Sequence, residues 1–294
     1  MKYDINLINA YLADKPVKYK AVAITVNKNN VVKEGYNMVK AGAKCSPTIY
    51  EDRLPIGEHR VDVIADILYE IAEHAFLSLD YESITDPDYV LANVYTQLMD
   101  VSNESWLDQK NVLYTDWNNT LLNVYYLKID AGEEGIASCW LHHQIIDEAG
   151  LELCDIYNAA NENNKMVATV KPILNVLKEI TGDLGELTLE EDFNDFMLVV
   201  TNKDGVKGSG VISSFDVRYS IWKKIGDFYV IPSSVHEILA VPAKSGMNPD
   251  ELRNIIRDVN RTQVSDEDRL SNNLFICSED IGYDVWLEGK RDEE

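Results

Sequence analysis

The sequence predicts an α+β fold in which antiparallel sheets carry amphipathic helices packed on one face. Three observations lead there. Short β-branched and apolar runs recur along the chain, with Asn, Asp, Gly or Pro between them. Segments with a 3.6-residue apolar period intervene, several with capping residues at their ends. The 294 residues are 46% apolar and 26% charged, the balance of a chain that packs a core.

The start reads as a short helix followed by strands. Ala21-Val22-Ala23-Ile24-Thr25-Val26 is a strand, Asn27 to Asn30 a turn, and Val31 to Val39 the antiparallel return, with Thr48-Ile49-Tyr50 a further extended stretch. Val61, Ile64, Ala65, Leu68, Ile71, Ala72 and Ala75 mark one apolar face of a helix. Asp62, Asp66, Glu70 and Glu73 line another face at the same period. No Lys or Arg stands four residues away to relieve them. Asp86-Pro87-Asp88 opens a helix with Pro near its first position. Leu121–Leu127 and Ile136–Leu141 read as strands, and a helix is expected from about Asp147 to Asn158.

A second helix spans about Ile173 to Ile180. Gly182 to Asp195 holds six acids and no base, which suggests a joint. The expected division is 1–182, an acidic joint at 183–195, and 196–294. Phe196–Thr201 is a strand, Asn202-Lys203-Asp204-Gly205 a hairpin turn, and Val211-Ile212 part of the return strand. A helix follows with Val217, Ile221, Trp222 and Ile225 inward and Gly226 as its cap. Strands are expected at 227–231, 238–241, 274–276 and 285–286. Asn248-Pro249 opens a last helix whose buried face is Leu252, Ile255, Ile256 and Val259.

Charge narrows the function. With 50 acids against 27 bases the net charge is −23, which disfavours direct nucleic-acid binding and docking on an anionic membrane. Residues 1–57 carry nine bases and five acids. Residues 58–104 carry eleven acids and one base, Arg60. No apolar run reaches membrane-span length. The opening residues have no basic-then-apolar leader. The four cysteines, Cys45, Cys139, Cys154 and Cys277, have no CxxC spacing, so they are expected as reduced thiols in a cytoplasmic protein.

Four patterns bear on chemistry. His142-His143-Gln144-Ile145-Ile146-Asp147 resembles the HHxxxD signature of acyl-CoA-dependent acetyltransferases and peptide-condensation domains, which would make His143 a general base. The following residue is Glu148 where those families have Gly, and no DFGWG-type partner motif is present. The two histidines are expected on opposite faces of a strand end, which disfavours a shared metal ion, and no metal or cofactor is expected. Gly205-Val206-Lys207-Gly208-Ser209-Gly210 lacks P-loop spacing and reads as a hairpin loop. Ser234, His236 and Glu237 are catalytic candidates by residue type, although triads are assembled from distant segments.

Ile231-Pro232-Ser233-Ser234-Val235-His236-Glu237 resembles the LPSSIHE block of a bacterial family of unknown function. Ser46–Tyr50 is similar to its SPTIY block, Thr201-Asn202-Lys203 to its TNK turn, and Val259–Val264 and Arg269–Asn273 to its VNxTxV and LSDN blocks. The resemblance spans nearly the whole chain. It implies an α+β protein forming one continuous unit, and it implies no reaction. If one pocket exists, block density places it near His236, Asn202, Asn260 and Thr262.

Two functional expectations follow. The first is a non-enzymatic binding protein whose acidic surface, including Asp62, Asp66, Glu70 and Glu73, meets a basic protein. Its most specific form is a nucleic-acid-mimicking inhibitor of a defence enzyme. The second is a hydrolase or acyltransferase using His236 and Glu237, or His143. A concave pocket collecting His236, Asn260 and Asn202 would favour the second; a flat acidic face would favour the first.

Overall fold

In the computed structural model, which describes residues 3–43, 46–55, 60–78, 81–130, 136–176 and 197–288, the chain forms three antiparallel sheets. Strands β1 (Tyr19–Lys28) and β2 (Val31–Lys40) pair along their full length around the Asn29-Asn30 turn. Asn29 takes a positive φ of 39°, a conformation Asn tolerates better than most residues. β3 (Thr48–Tyr50) adds to the other edge of β2. Helix α1 (Ile5–Leu12) is capped by Asp4 and packs with α2 (Val61–Ser78) on one face of this sheet. Ile8, Leu12, Ile64, Leu68, Tyr36 and Met38 are fully buried there. Each such side chain contributes about 1.5–3 kcal/mol through burial.

Helices α3 (Tyr81–Ile84) and α4 (Pro87–Asn93) lead into β4 (Val94–Asp100). After α5 (Glu104–Gln109), strands β5 (Tyr114–Asp116), β6 (Leu121–Asp130) and β7 (Ile136–Trp140) complete the second sheet. β6 is central: β4 lies along one edge, and β5 and β7 share the other end to end. The helix expected from Asp147 is two helices, α6 (His143–Ala149) and α7 (Leu153–Val167). Gly150, at φ 65°, ends the first, and a reciprocal Glu152–Asp155 capping box starts the second. The apolar period runs through both helices and hides the break.

The third sheet has six strands in the order β13-β12-β10-β11-β9-β8. They are β8 (Ala168–Pro172), β9 (Leu198–Asn202), β10 (Phe228–Ile231), β11 (Ile238–Pro242), β12 (Phe275–Cys277) and β13 (Val285–Leu287). Helix α8 (Phe215–Ile225) buries Val217, Ile221 and Ile225 against Phe228, Val230, Ile238 and Ala240. Helix α9 (Pro249–Thr262) buries Leu252 and Ile256 against Tyr229, Ile231 and Val241, the alternate residues of the same strands. The two faces of this sheet thus carry different helices, as the period of two along each strand requires.

Three local expectations change. Val211-Ile212 is not a return strand but part of a buried 3₁₀ helix, Gly208–Ser213, and β9 pairs instead with β8 and β11. Residues 168–172 form a strand before the expected second helix, of which only 173–176 lie within the described residues. On α9, Ile255 and Val259 are exposed, because the buried seam runs through Leu252, Ile256 and Asn260. The acidic joint at 183–195 lies outside the described residues. Strands on either side of it, β8 and β9, pair directly.

Candidate functional site

The block around His236 is a turn between β10 and β11. Ser234 and Glu237 exchange backbone hydrogen bonds across it, and the His236 N–H donates to Ser234 Oγ at 3.1 Å. Three other segments hold the turn in place. The Thr201 hydroxyl donates to the His236 carbonyl at 2.7 Å, the Ser209 N–H donates to the Val235 carbonyl, and the Val235 N–H donates to the Asp268 carbonyl.

The imidazole is engaged at both nitrogens. Nδ1 accepts the backbone N–H of Lys207 at 3.1 Å, which places the ring proton on Nε2, and Nε2 faces Asp268 Oδ1 at 3.2 Å. Asp268 Oδ2 in turn accepts from the Ser265 hydroxyl at 2.8 Å. A Ser–Asp–His chain is therefore present. It runs in the wrong direction for a nucleophile relay, because the nitrogen that would act as base is committed to a backbone donor. Ser234 Oγ is used within its own turn.

Gly208 is fixed by the same contacts. A Cβ there would lie 2.2 Å from Thr201 Oγ1 and 2.6 Å from both the Asn202 nitrogen and the His236 carbonyl oxygen. At Gly210 a Cβ would lie 1.9 Å from the Thr96 carbonyl oxygen. These glycines allow the 3₁₀ helix to press against β9 and β4. The Gly-rich segment is a packing joint, and its buried Ser209 Oγ accepts the Leu98 N–H.

Lys207 precedes this helix with φ 55°. Its ammonium lies 4.6 Å from the Tyr126 ring centre and 4.5 Å from that of Trp140, and donates to Ser138 Oγ at 2.7 Å. Burial, helped by the nearby Lys28 charge, pulls its pKa down to about 8.

The remaining candidates are dispersed. Asn202 closes its own loop through the Val206 carbonyl and the Asp204 N–H. Thr262 donates to the Asp258 carbonyl one helical turn back. His143 opens α6, and its N–H donates to the Asn111 carbonyl. His142 donates through Nδ1 to the Lys110 carbonyl at 2.8 Å; it is extended, bridges Val112 and caps α6, so the two histidines straddle a strand-like end and a helix start. Among the described residues no His/Cys/Asp/Glu group has metal-binding geometry. No helix among them is long and apolar enough to cross a membrane. On α2, Asp62 pairs with Arg60 and Asp66 with Lys15, so two members of the acidic stripe have cations drawn from outside its i, i+4 positions.

A concavity among the described residues lies elsewhere on the same framework. A cleft of about 570 Å³ opens between the C-terminal half of α9 and the segment that returns beside it. Arg257, Asn260, Arg261, Ser265, Asp266 and Arg269 are among the residues that line it. Of the expected pocket residues it contains Asn260, whose buried amide donates to the Ser271 carbonyl and to Asn272 Oδ1. His236 reaches it only through Asp268 and Ser265. The arginines carry a sequence signal that block density does not: four of the chain's eight arginines fall between 253 and 269, and Arg253, Arg257 and Arg261 repeat every four residues.

No curated protein and no solved structure matches the chain. The sequence profile of a family of unknown function (DUF5688) matches residues 6–278, nearly the whole length, and the chain belongs to that family.

Proposed function

We propose that this protein acts by binding and not by catalysis, with its acidic surface as the recognition element for a basic protein partner. The observation that carries this reading is the commitment of the His236 imidazole. Its lone pair accepts a backbone N–H, so the most distinctive block of the sequence builds a joint between segments. The charge supports the choice of partner. Glu70 is exposed on α2 and Glu73 partly so, on a stripe about 16 Å long from Asp62 at 1.5 Å per residue. A field of this sign speeds encounter with a cationic surface and weakens with salt.

In its most specific form the reading is a nucleic-acid mimic that occupies the basic groove of a defence enzyme in the bacterial cytoplasm. The test is capture from a bacterial lysate at low salt, followed by a salt gradient, with the Glu70→Lys variant in parallel. A discrete basic protein that elutes as salt rises, and elutes earlier from Glu70→Lys, is the expected result. Retention that ignores both salt and the substitution overturns the reading, as does the absence of a specific retained protein.

A further inference from the structure

We propose that the cleft between α9 and residues 264–272 binds a small molecule carrying two or more oxyanion groups, phosphate or carboxylate. This site is independent of the acidic surface above and has the opposite sign.

The arginines are arranged as a receptor. Arg257 and Arg261 stand one helical turn apart on α9, about 6 Å along its axis. Arg269 contributes from the returning segment, so cations reach the cleft from two walls. The Arg257 side chain has no hydrogen bond or ion pair among the described residues. Arg261 and Arg269 each meet one carboxylate, Asp258 at 2.9 Å and Asp266 at 2.8 Å. A guanidinium has five N–H donors, and a single contact of this kind leaves a face of the fork open. The residues that line the cleft include three arginines and one acid, Asp266. Of the other acids on the returning wall, Glu267 pairs with Lys28 and Lys33, and Asp268 is engaged by His236 and Ser265. The lining itself is therefore positive in a chain whose net charge is −23.

The backing of the cleft is fixed. Asn260 is 4% exposed and ties the helix to Ser271 and Asn272, which holds the two walls at a set separation. The other wall is tied down from behind: Asn29 donates to the carbonyls of Glu267 and Arg269, and Asn30 to those of Asp266 and Arg269. A preorganised wall reduces the ordering cost of binding. A volume near 570 Å³ is much larger than a single phosphate ion, and lies in the range of small-molecule sites.

The test uses the whole chain with three probes at matched ionic strength: inorganic pyrophosphate, citrate and sodium chloride. Calorimetric titration and thermal unfolding are read together. Saturable binding of pyrophosphate or citrate, absent with chloride, is expected, and which of the two binds more tightly separates phosphate from carboxylate chemistry. Arg257→Gln should weaken the binding about tenfold, the scale of one charge-assisted hydrogen bond. Its unliganded unfolding midpoint should stay unchanged, since no internal contact is lost. Arg257→Lys should recover part of the affinity, as charge without the fork. Failure of both polyanions to bind beyond the chloride control overturns the proposal, as does equal affinity in Arg257→Gln. Either failure leaves the acidic-surface reading untouched, because that reading is tested by Glu70→Lys and lysate capture.

Discussion

His236 and Asp268, 32 residues apart, face each other at 3.2 Å, with the other imidazole nitrogen held by the Lys207 backbone. Three segments thus meet at one ring: the β10–β11 turn, the loop that leads from β9 into the 3₁₀ helix, and the stretch after α9. Asp268→Ala removes the acceptor for both His236 and Ser265 and should destabilise the protein by about 1 kcal/mol, discounted because both side chains are partly open to solvent. The double substitution with His236→Ala should cost less than the sum of the two singles. Urea unfolding of the four proteins in that cycle measures the coupling, and strict additivity would show that the pair contributes nothing jointly.

Gly208 and Gly210 face backbone atoms where a side chain would begin. Gly208→Ala and Gly210→Ala should each cost about 3 kcal/mol or more, or prevent folding. Gly205→Ala is the control, with a positive φ of 65° and open space around it, and should cost about 1–2 kcal/mol from backbone strain alone. Thermal denaturation ranks the three. A mild Gly210→Ala would mean that β4 and the 3₁₀ helix separate easily.

Lys207 makes stability depend on pH in the alkaline range. Its folded-state pKa, about 8, lies below the ordinary lysine value, so between about pH 8 and 10 the unfolded chain binds the extra proton. Stability should therefore rise as pH climbs through 8. The buried Cys277 thiol, pushed up to about 12, acts in the opposite sense, because it ionises only after unfolding and withdraws stability above about pH 9. Unfolding midpoints at pH 7, 8 and 9 should rise in the wild type and stay flat in Lys207→Met. The same rise in the variant would assign it to other groups.

The sequence displays its regular elements through local periods. α2, α4 and α9 follow from apolar spacing and from Asp86-Pro87 and Asn248-Pro249, and the β1–β2 hairpin from its turn residues. Gly208-Ser209-Gly210 misleads because its glycines respond to Thr96 and His236, contacts more than a hundred and more than twenty residues away. At the candidate site, residue types were legible and partners were not. Asn260 lines the cleft, whereas Asn202 and Thr262 spend their polar atoms on adjacent backbone. The commitment of His236 to Lys207 is invisible in sequence, since it depends on a backbone N–H.

The Asn29-Asn30 turn has a consequence for how the chain is made. Asn29 is 5% exposed, and its amide partners are the carbonyls of residues 238 and 240 positions later. Lys28 and Lys33 meet Glu267 in the same stretch. On a ribosome adding about 5–20 residues per second, this hairpin waits roughly ten to fifty seconds before its clasp is synthesised. During that interval the β1–β2 ribbon exposes an amide tip without its partners. A nascent chain truncated before residue 267 should therefore engage chaperones through its first sheet, and release should coincide with emergence of the α9 return segment.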